Sequence, residues 1–111
     1  MAYPIILNFI HFITINNINL NSQDNFGKTA LMHLINNNKN IINISKQLYD
    51  NIFKELINYS SIDLSIKDNN NITAFILCLI YEYYEDAKYI YDKNCIVSEF
   101  DIILLFIIKI Y

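Results

Sequence analysis

The chain has 111 residues and a formal net charge of −3, from 11 acidic and eight basic residues. A chain of this length forms one domain at most, and it can bury a modest core without metals or disulfides. All eight basic residues are lysine. Nucleic-acid binding normally requires a basic stripe and gains from bidentate arginine, so the sequence predicts no nucleic-acid partner.

Isoleucine and asparagine dominate the composition, with 24 and 17 residues, and the chain has one Gly, one Pro and no Trp. Ile, Asn, Lys and Tyr share A/T-rich codons, which indicates the genome of a protozoan or of a large DNA virus that infects one. A hydrophobic fraction of 54% is high for a small protein. We therefore expect some apolar surface to be exposed or covered by a partner.

No segment of the sequence predicts a membrane span or a secretory signal. The apolar run at residues 102–108 is much shorter than the ~20 residues that a spanning helix needs. The apolar N-terminal run lacks a basic region before it. Cys78 and Cys95 form no C-x-x-C pair, which favours reduced thiols. The predicted location is intracellular, in the cytoplasm, or in the host cytoplasm if the source is viral.

Apolar periodicity predicts a series of short helices. The first has an apolar face formed by Phe9, Ile10, Phe12 and Ile13. A second helix follows Thr29, and a third follows Ser45 with a continuous apolar stripe. The members of that stripe are Leu48, Tyr49, Ile52, Phe53, Leu56 and Ile57. A fourth helix follows Thr73, and a shorter fifth helix ends near residues 92–94.

The chain contains an internal repeat with a constant offset of 44 residues. Residues 18–31 align without gaps with residues 62–75. Each copy is predicted as a turn-rich stretch followed by Thr-Ala and an apolar helix. Thr29 and Thr73 lie where an N-cap hydroxyl would accept from the first free N–H groups of that helix.

This pattern resembles the ankyrin repeat, whose units recur about every 33 residues. Residues 24–32 match the Asp-x-x-Gly-x-Thr-Pro-Leu-His opening of that family, with Ala for Pro and Met for His, and residues 68–76 match it more loosely. A turn signature of the family occurs at residues 17–21, 61–65 and 94–98. The resemblance implies an all-α, ankyrin-repeat-like solenoid of stacked helix–turn–helix units with short hairpin-like loops.

The spacing of the repeated aspartates predicts the organisation of the chain. Asp101 follows Asp68 by one ordinary repeat length, whereas the 44 residues from Asp24 to Asp68 include an excess that falls in an Asn-rich stretch. We predict a single domain, residues 1–111, with partial repeats at both ends. Its parts are a partial N-terminal repeat at 1–23, a repeat at 24–67 with an insertion at about 36–46, a repeat at 68–100, and a degenerate C-terminal helix at 101–111.

Asparagine replaces most of the glycines that the family places at positive φ. Asn17, Asn71 and Asn94 occupy these positions, and only Gly27 is a glycine. Asparagine is the non-glycine residue that best tolerates this conformation, so we expect positive φ at these positions.

The residues with reactive side chains form no catalytic or metal-binding pattern. His11 and His33 have no His or Cys at ligand spacing, so we expect core or groove packing. Cys78 and Cys95 are interpreted as small buried hydrophobes, and the Glu85-Asp86 pair as a solvated face. Phosphate loops, catalytic triads and paired zinc motifs are absent. The sequence predicts a protein that is not an enzyme and has no cofactor or metal.

A tyrosine-rich run at residues 81–91 allows two interpretations. It could be a recognition surface, because tyrosine gives a large contact area at low entropic cost. It could also be an amphipathic helix end with rings at the core edge and hydroxyls in water. We favour the second interpretation.

The resemblance implies a non-enzymatic protein–protein interaction module whose partner is unidentified. Partners of this family usually contact the hairpin tips and the groove of the inner helices. The corresponding residues here are Asn25, Phe26, Lys28, Asn36, Asn37, Asn69, Asn70, Ile72, Ile80 and Tyr81. The alternative is a structural or vestigial fragment of a multi-copy repeat family with no specific partner, and the oligomeric state is left open.

Overall fold

A computed structural model describes residues 11–38 and 46–93, together with residues 103 and 107. The described residues form helices and loops, and no strand occurs among them, so the all-α prediction is confirmed for this part of the chain. The main helices are α1 (Ala30–Asn36), α2 (Lys46–Asn58), α3 (Ala74–Ile80) and α4 (Tyr84–Tyr91). Residues 11–15, 103 and 107 are also helical. The predicted Ser45 cap, Cys95 and nearly all of the C-terminal helix lie outside the described residues.

Two equivalent threonines begin α1 and α3, as predicted. The Thr29 hydroxyl accepts from the Met32 N–H at 3.4 Å, and the Thr73 hydroxyl accepts from the Ile76 N–H at 3.2 Å. Both threonines have nearly identical extended backbones, with φ of −90° and −89°. Each cap satisfies one of the N–H groups that a helix start leaves without a partner.

The core is centred on α3, which packs against α1 on one side and α4 on the other. The first six residues of α3, from Ala74 to Leu79, are all buried, whereas α1 buries only one face. α2 packs against α1 through the predicted stripe, in which Leu48 and Ile52 are partly buried. The buried members are Tyr49, Phe53, Leu56 and Ile57. Each such side chain contributes roughly 1.5–3 kcal/mol when fully buried.

α2 and α4 are joined by polar contacts as well as by aromatic rings. The buried Tyr49 hydroxyl donates to the Asp86 carboxylate at 3.2 Å, and the Asn58 amide donates to the Tyr89 hydroxyl at 2.7 Å. The prediction of a solvated Glu85-Asp86 face was therefore wrong for Asp86, which is partly buried while Glu85 is exposed. Burial raises the pKa of the Asp86 carboxyl above its ordinary value.

Four described residues have positive φ. Asn17 at 53° and Asn71 at 62° confirm two of the predicted asparagine positions, Gly27 has 79°, and Asn94 lies outside the described residues. Glu82 at 63° was not predicted. The Glu82 N–H donates to the Leu79 carbonyl, and the Tyr83 N–H donates to the Cys78 carbonyl at 2.8 Å. These two bonds end α3 sharply, so that only three residues separate it from α4.

Four further expectations concern the burial of side chains. Phe12 was predicted on an apolar face but is 58% exposed, and His33 is not in the core because its side chain is 49% exposed. Cys78 is a free, fully buried thiol, as predicted, and burial raises its pKa. The rings of Tyr81, Tyr83 and Tyr89 lie partly buried at the edge of the core, as the favoured interpretation predicted. The hydroxyls of Tyr81 and Tyr89, however, bond to protein side chains.

Of the described helices, none has both the length and the apolar character required to cross a membrane.

Candidate protein-binding surface

The repeated aspartates fold two loop tips in the same way. We call residues 24–28 tip 1 and residues 68–72 tip 2. The Asp24 carboxylate accepts from the N–H groups of Phe26 and Lys28, both at 2.9 Å. The Asp68 carboxylate accepts from the N–H groups two and four residues later, at 2.8 and 2.9 Å. Each tip is also closed by backbone hydrogen bonds, and each has one residue with positive φ, Gly27 or Asn71.

The two tips lie side by side and are bonded to each other. Asn69 donates its backbone N–H to the Phe26 carbonyl and its side-chain amide to the Asn25 carbonyl, each at 3.0 Å. Gly27 lies directly under this contact, since an added Cβ would approach the Asn69 Oδ1 to 2.7 Å. The pairing therefore requires a residue without a side chain at Gly27.

Two more side-chain amides hold the loops together before the tips. The Asn21 amide donates to the Ser61 carbonyl, and its oxygen accepts from the Asp63 N–H, both at 2.8 Å. The Gln23 amide bridges the carbonyls of Gly27 and Lys67 at 2.8 and 3.0 Å. Three of these four bonds join residues that are 40 to 44 positions apart in the sequence. They make the paired loops one ordered unit.

Tip 1 is also tied to α1 by the imidazole of His33, which lies 2.7 Å from the second carboxylate oxygen of Asp24. The backbone hydrogen bond from Lys28 and the hydrogen bond from His33 lower the pKa of Asp24. In the described ranges, no three His, Cys, Asp or Glu side chains lie close enough to hold a metal ion. The contact fixes the tip relative to the helix that follows it.

Six of the ten predicted binding residues belong to the paired tips. Asn25, Phe26, Asn69 and Asn70 are exposed, and Phe26, at 70%, is the most exposed large apolar residue among those that the structure describes. Lys28 and Ile72 are only partly exposed. The structure brings these six residues together because the two tips are hydrogen-bonded edge to edge.

The other four predicted residues lie at the ends of α1 and α3. The Tyr81 hydroxyl donates to the Asn36 side chain at 2.8 Å, which connects the two helix ends. Ile80 is 48% exposed, and Asn37 is exposed with its amide bonded to the His33 carbonyl. Seven helical residues separate tip 1 from Asn37, so the two groups lie about 10 Å apart along α1.

A polar depression of about 240 Å³ beside the start of α4 was not predicted. Its lining consists of Asn38, Lys46, Glu82, Tyr83, Tyr84, Glu85 and Asp86. It forms where the tight turn at Glu82 brings the end of α3 next to the start of α4. No sequence pattern indicates this depression, because positive φ is uncommon for a residue other than glycine and glutamate is not among the types enriched there.

Comparisons of the chain with models of known protein families, with curated proteins and with solved structures gave no match. The resemblance to ankyrin repeats therefore depends on the repeated residues themselves.

Proposed function

We propose that this chain is a non-enzymatic protein–protein interaction module of the ankyrin-repeat type. It binds a protein partner through the paired tips and the neighbouring ends of α1 and α3. The observation that carries the proposal is Phe26, whose side chain is 70% exposed on a tip with a fixed backbone. Burying an exposed phenylalanine on an ordered loop supplies a large apolar contact at little entropic cost.

The order of the tips supports the proposal. The Phe26 N–H donates to Asp24, and its carbonyl accepts from Asn69, so both sides of this residue are held. A loop that is ordered before binding loses less entropy when a partner docks. The two ends of the surface are similarly fixed, by the Asn69 contacts at the tips and the Tyr81–Asn36 bond at the helix ends.

The side chains around Phe26 indicate what kind of partner surface would fit. Asn25, Asn69 and Asn70 are exposed neutral amides, which can both donate and accept hydrogen bonds. An apolar anchor surrounded by amides is suited to a protein surface with an apolar pocket and a polar rim. The solenoid arrangement itself is part of the proposal, supported by the equivalent tips and caps of the two repeats and by the equal seven-residue lengths of α1 and α3.

Affinity capture from the native cell tests this function with variants that spare the fold. Phe26→Asn gives tip 1 the residue that tip 2 has at the equivalent position, Asn70, so its cost to stability should be small. Ile80→Ser tests the helix end, and Tyr84→Ser is the control, because Tyr84 is 45% exposed and lies outside the proposed surface.

A specific partner should be recovered by the wild type and by Tyr84→Ser. Its affinity should fall about thirtyfold in Phe26→Asn, because a central aromatic anchor contributes roughly 2 kcal/mol or more. Equal recovery by Phe26→Asn, Ile80→Ser and the wild type, with unchanged circular dichroism, would contradict the proposed surface.

The second candidate function is a structural or vestigial fragment without a specific partner. The exposed apolar side chains of Phe12, Ile15 and Ile18 favour it, because such residues are costly in a small stable monomer. This alternative predicts broad, non-cooperative thermal unfolding. Cooperative unfolding of the purified chain would contradict it.

A further inference from the structure

Equivalent positions before the two tips differ sharply in burial. Phe12 corresponds to Leu56 at the offset of 44 residues, and Leu56 is 4% exposed whereas Phe12 is 58% exposed. Ile15 is 66% exposed, while its counterpart Tyr59 is partly buried and packs against the core. The end of α2 therefore has a neighbour that covers it, whereas none of the described residues covers the helical segment at residues 11–15 in the same way.

The hydrogen bonds of the tips show the same difference. Asn69 uses both its backbone N–H and its side-chain amide to bond to tip 1. Asn25 occupies the same place in tip 1, yet neither its N–H nor its side-chain amide has a hydrogen-bond partner in the described part of the chain. Tip 1 thus offers, on its outer edge, the two donors that tip 2 uses to bind a neighbouring tip.

The repeat itself defines what would fill this surface. Tip 2 is covered by tip 1, and α2 packs against the short helix α1 that follows tip 1. The equivalent cover for residues 11–15 and Asn25 is another tip that begins with aspartate and continues into a short apolar helix.

The chain contains a third segment of this kind. Asp101 lies 33 residues after Asp68, and residues 102–110 are apolar except for Lys109. Residues 103 and 107 are isoleucines in helical conformation, one turn apart, and both are exposed. Residues 1–23 contain no charged side chain, which suits an apolar helix as the occupant.

We propose that this chain associates head-to-tail with itself, residues 101–110 of one copy docking on the surface formed by Phe12, Ile15 and Asn25 of the next. Each copy then carries one docking surface and one docking segment at opposite ends of the sequence. Because the two are different, the contact is heterologous, and we expect copies to add head-to-tail into a chain or into a ring larger than a dimer. The docking surface shares Asn25 with the proposed partner-binding surface but contains neither Phe26 nor Ile80. Phe26→Asn and Ile80→Ser therefore test the proposed function separately from this association.

Sedimentation velocity of the full chain over a wide concentration range tests the proposal. The mean mass of the wild type should rise reversibly with concentration and pass that of a dimer. Phe12→Ser with Ile15→Ser removes the docking surface, and Ile103→Ser with Ile107→Ser removes the docking segment. Each double variant should weaken association by at least about tenfold, because each removes large apolar side chains from the contact.

Mixing the two double variants provides the decisive measurement, because each retains the half that the other has lost. An equimolar mixture should form a one-to-one complex that neither variant forms alone. Tyr84→Ser is the control and should associate as the wild type does, because Tyr84 is exposed and lies outside both halves of the contact. A monomeric wild type, growth that stops at a dimer, association that dilution does not reverse, or double variants that associate normally would each overturn the proposal.

Discussion

Gly27 is the residue at which a single methyl group should most disturb the paired tips. Its φ of +79° is a left-handed conformation, and a Cβ there would lie 2.7 Å from Asn69 Oδ1 and 2.8 Å from Asn69 N. Gly27→Ala therefore has two costs, a backbone cost of about 1–2 kcal/mol for an L-residue and a steric cost of about 1–3 kcal/mol for overpacking. We expect a total loss of about 2–5 kcal/mol, a large share of the ~5–15 kcal/mol that stabilises a domain.

Asn71→Ala is the matched control because it separates these two costs. Asn71 has the same place in tip 2 and a similar φ of 62°, but its side chain is exposed. Alanine at this position incurs only the backbone cost, and since asparagine already bears part of that cost, we expect a loss below about 1 kcal/mol. The difference between the two variants measures how closely tip 2 approaches Gly27.

Urea unfolding followed by far-UV circular dichroism measures the loss of stability in each of the two variants. The comparison is valid if the slope of the free energy of unfolding against urea is the same as in the wild type. A changed slope would indicate a change in the unfolded or native state rather than in one contact. If Gly27→Ala is no less stable than Asn71→Ala, the two tips do not meet as described, and the reasoning is refuted.

Two other predictions concern a helix cap and a buried carboxylate. Thr73→Val should lower the free energy of unfolding by about 1 kcal/mol, because α3 loses its N-cap acceptor. Thr73→Ser keeps a hydroxyl at this position and should retain most of the wild-type stability. Equal stability of the two variants in urea unfolding would contradict the role of Thr73 as a cap. Burial raises the pKa of Asp86, so the folded protein favours the protonated carboxyl more than the unfolded chain does. The stability that this difference contributes is fully present below the unfolded pKa of ~3.9, and it is lost as pH rises through the higher folded pKa. Asp86→Asn, which can still accept from Tyr49, should therefore reduce the loss of stability between roughly pH 4 and pH 7. If the urea midpoint of Asp86→Asn depends on pH as steeply as that of the wild type, Asp86 is not the source of this pH dependence.

The local features of the repeat could be predicted from the sequence because their interactions span few residues. Asp24 accepts from N–H groups two and four positions later, and Thr29 accepts from the N–H three positions later. Such contacts recur wherever the same residue types recur at the same spacing. The bonds of Asn21 and Gln23 to the second loop could not be predicted, since they depend on how the loops are placed in space.

The burial of a repeated position could not be predicted from the repeat alone, as His33 demonstrates. Its counterpart at the offset of 44 residues is Leu77, which is buried because α3 has α1 on one side and α4 on the other. α1 packs against α2 and α3. Neither helix covers the face of α1 that carries His33, whose side chain is exposed to solvent and contacts Asp24. The same repeat position is therefore core in one copy and surface in the other. In a stack of helices, periodicity identifies which face of a helix is apolar, but only the neighbours on both sides decide whether that face is covered.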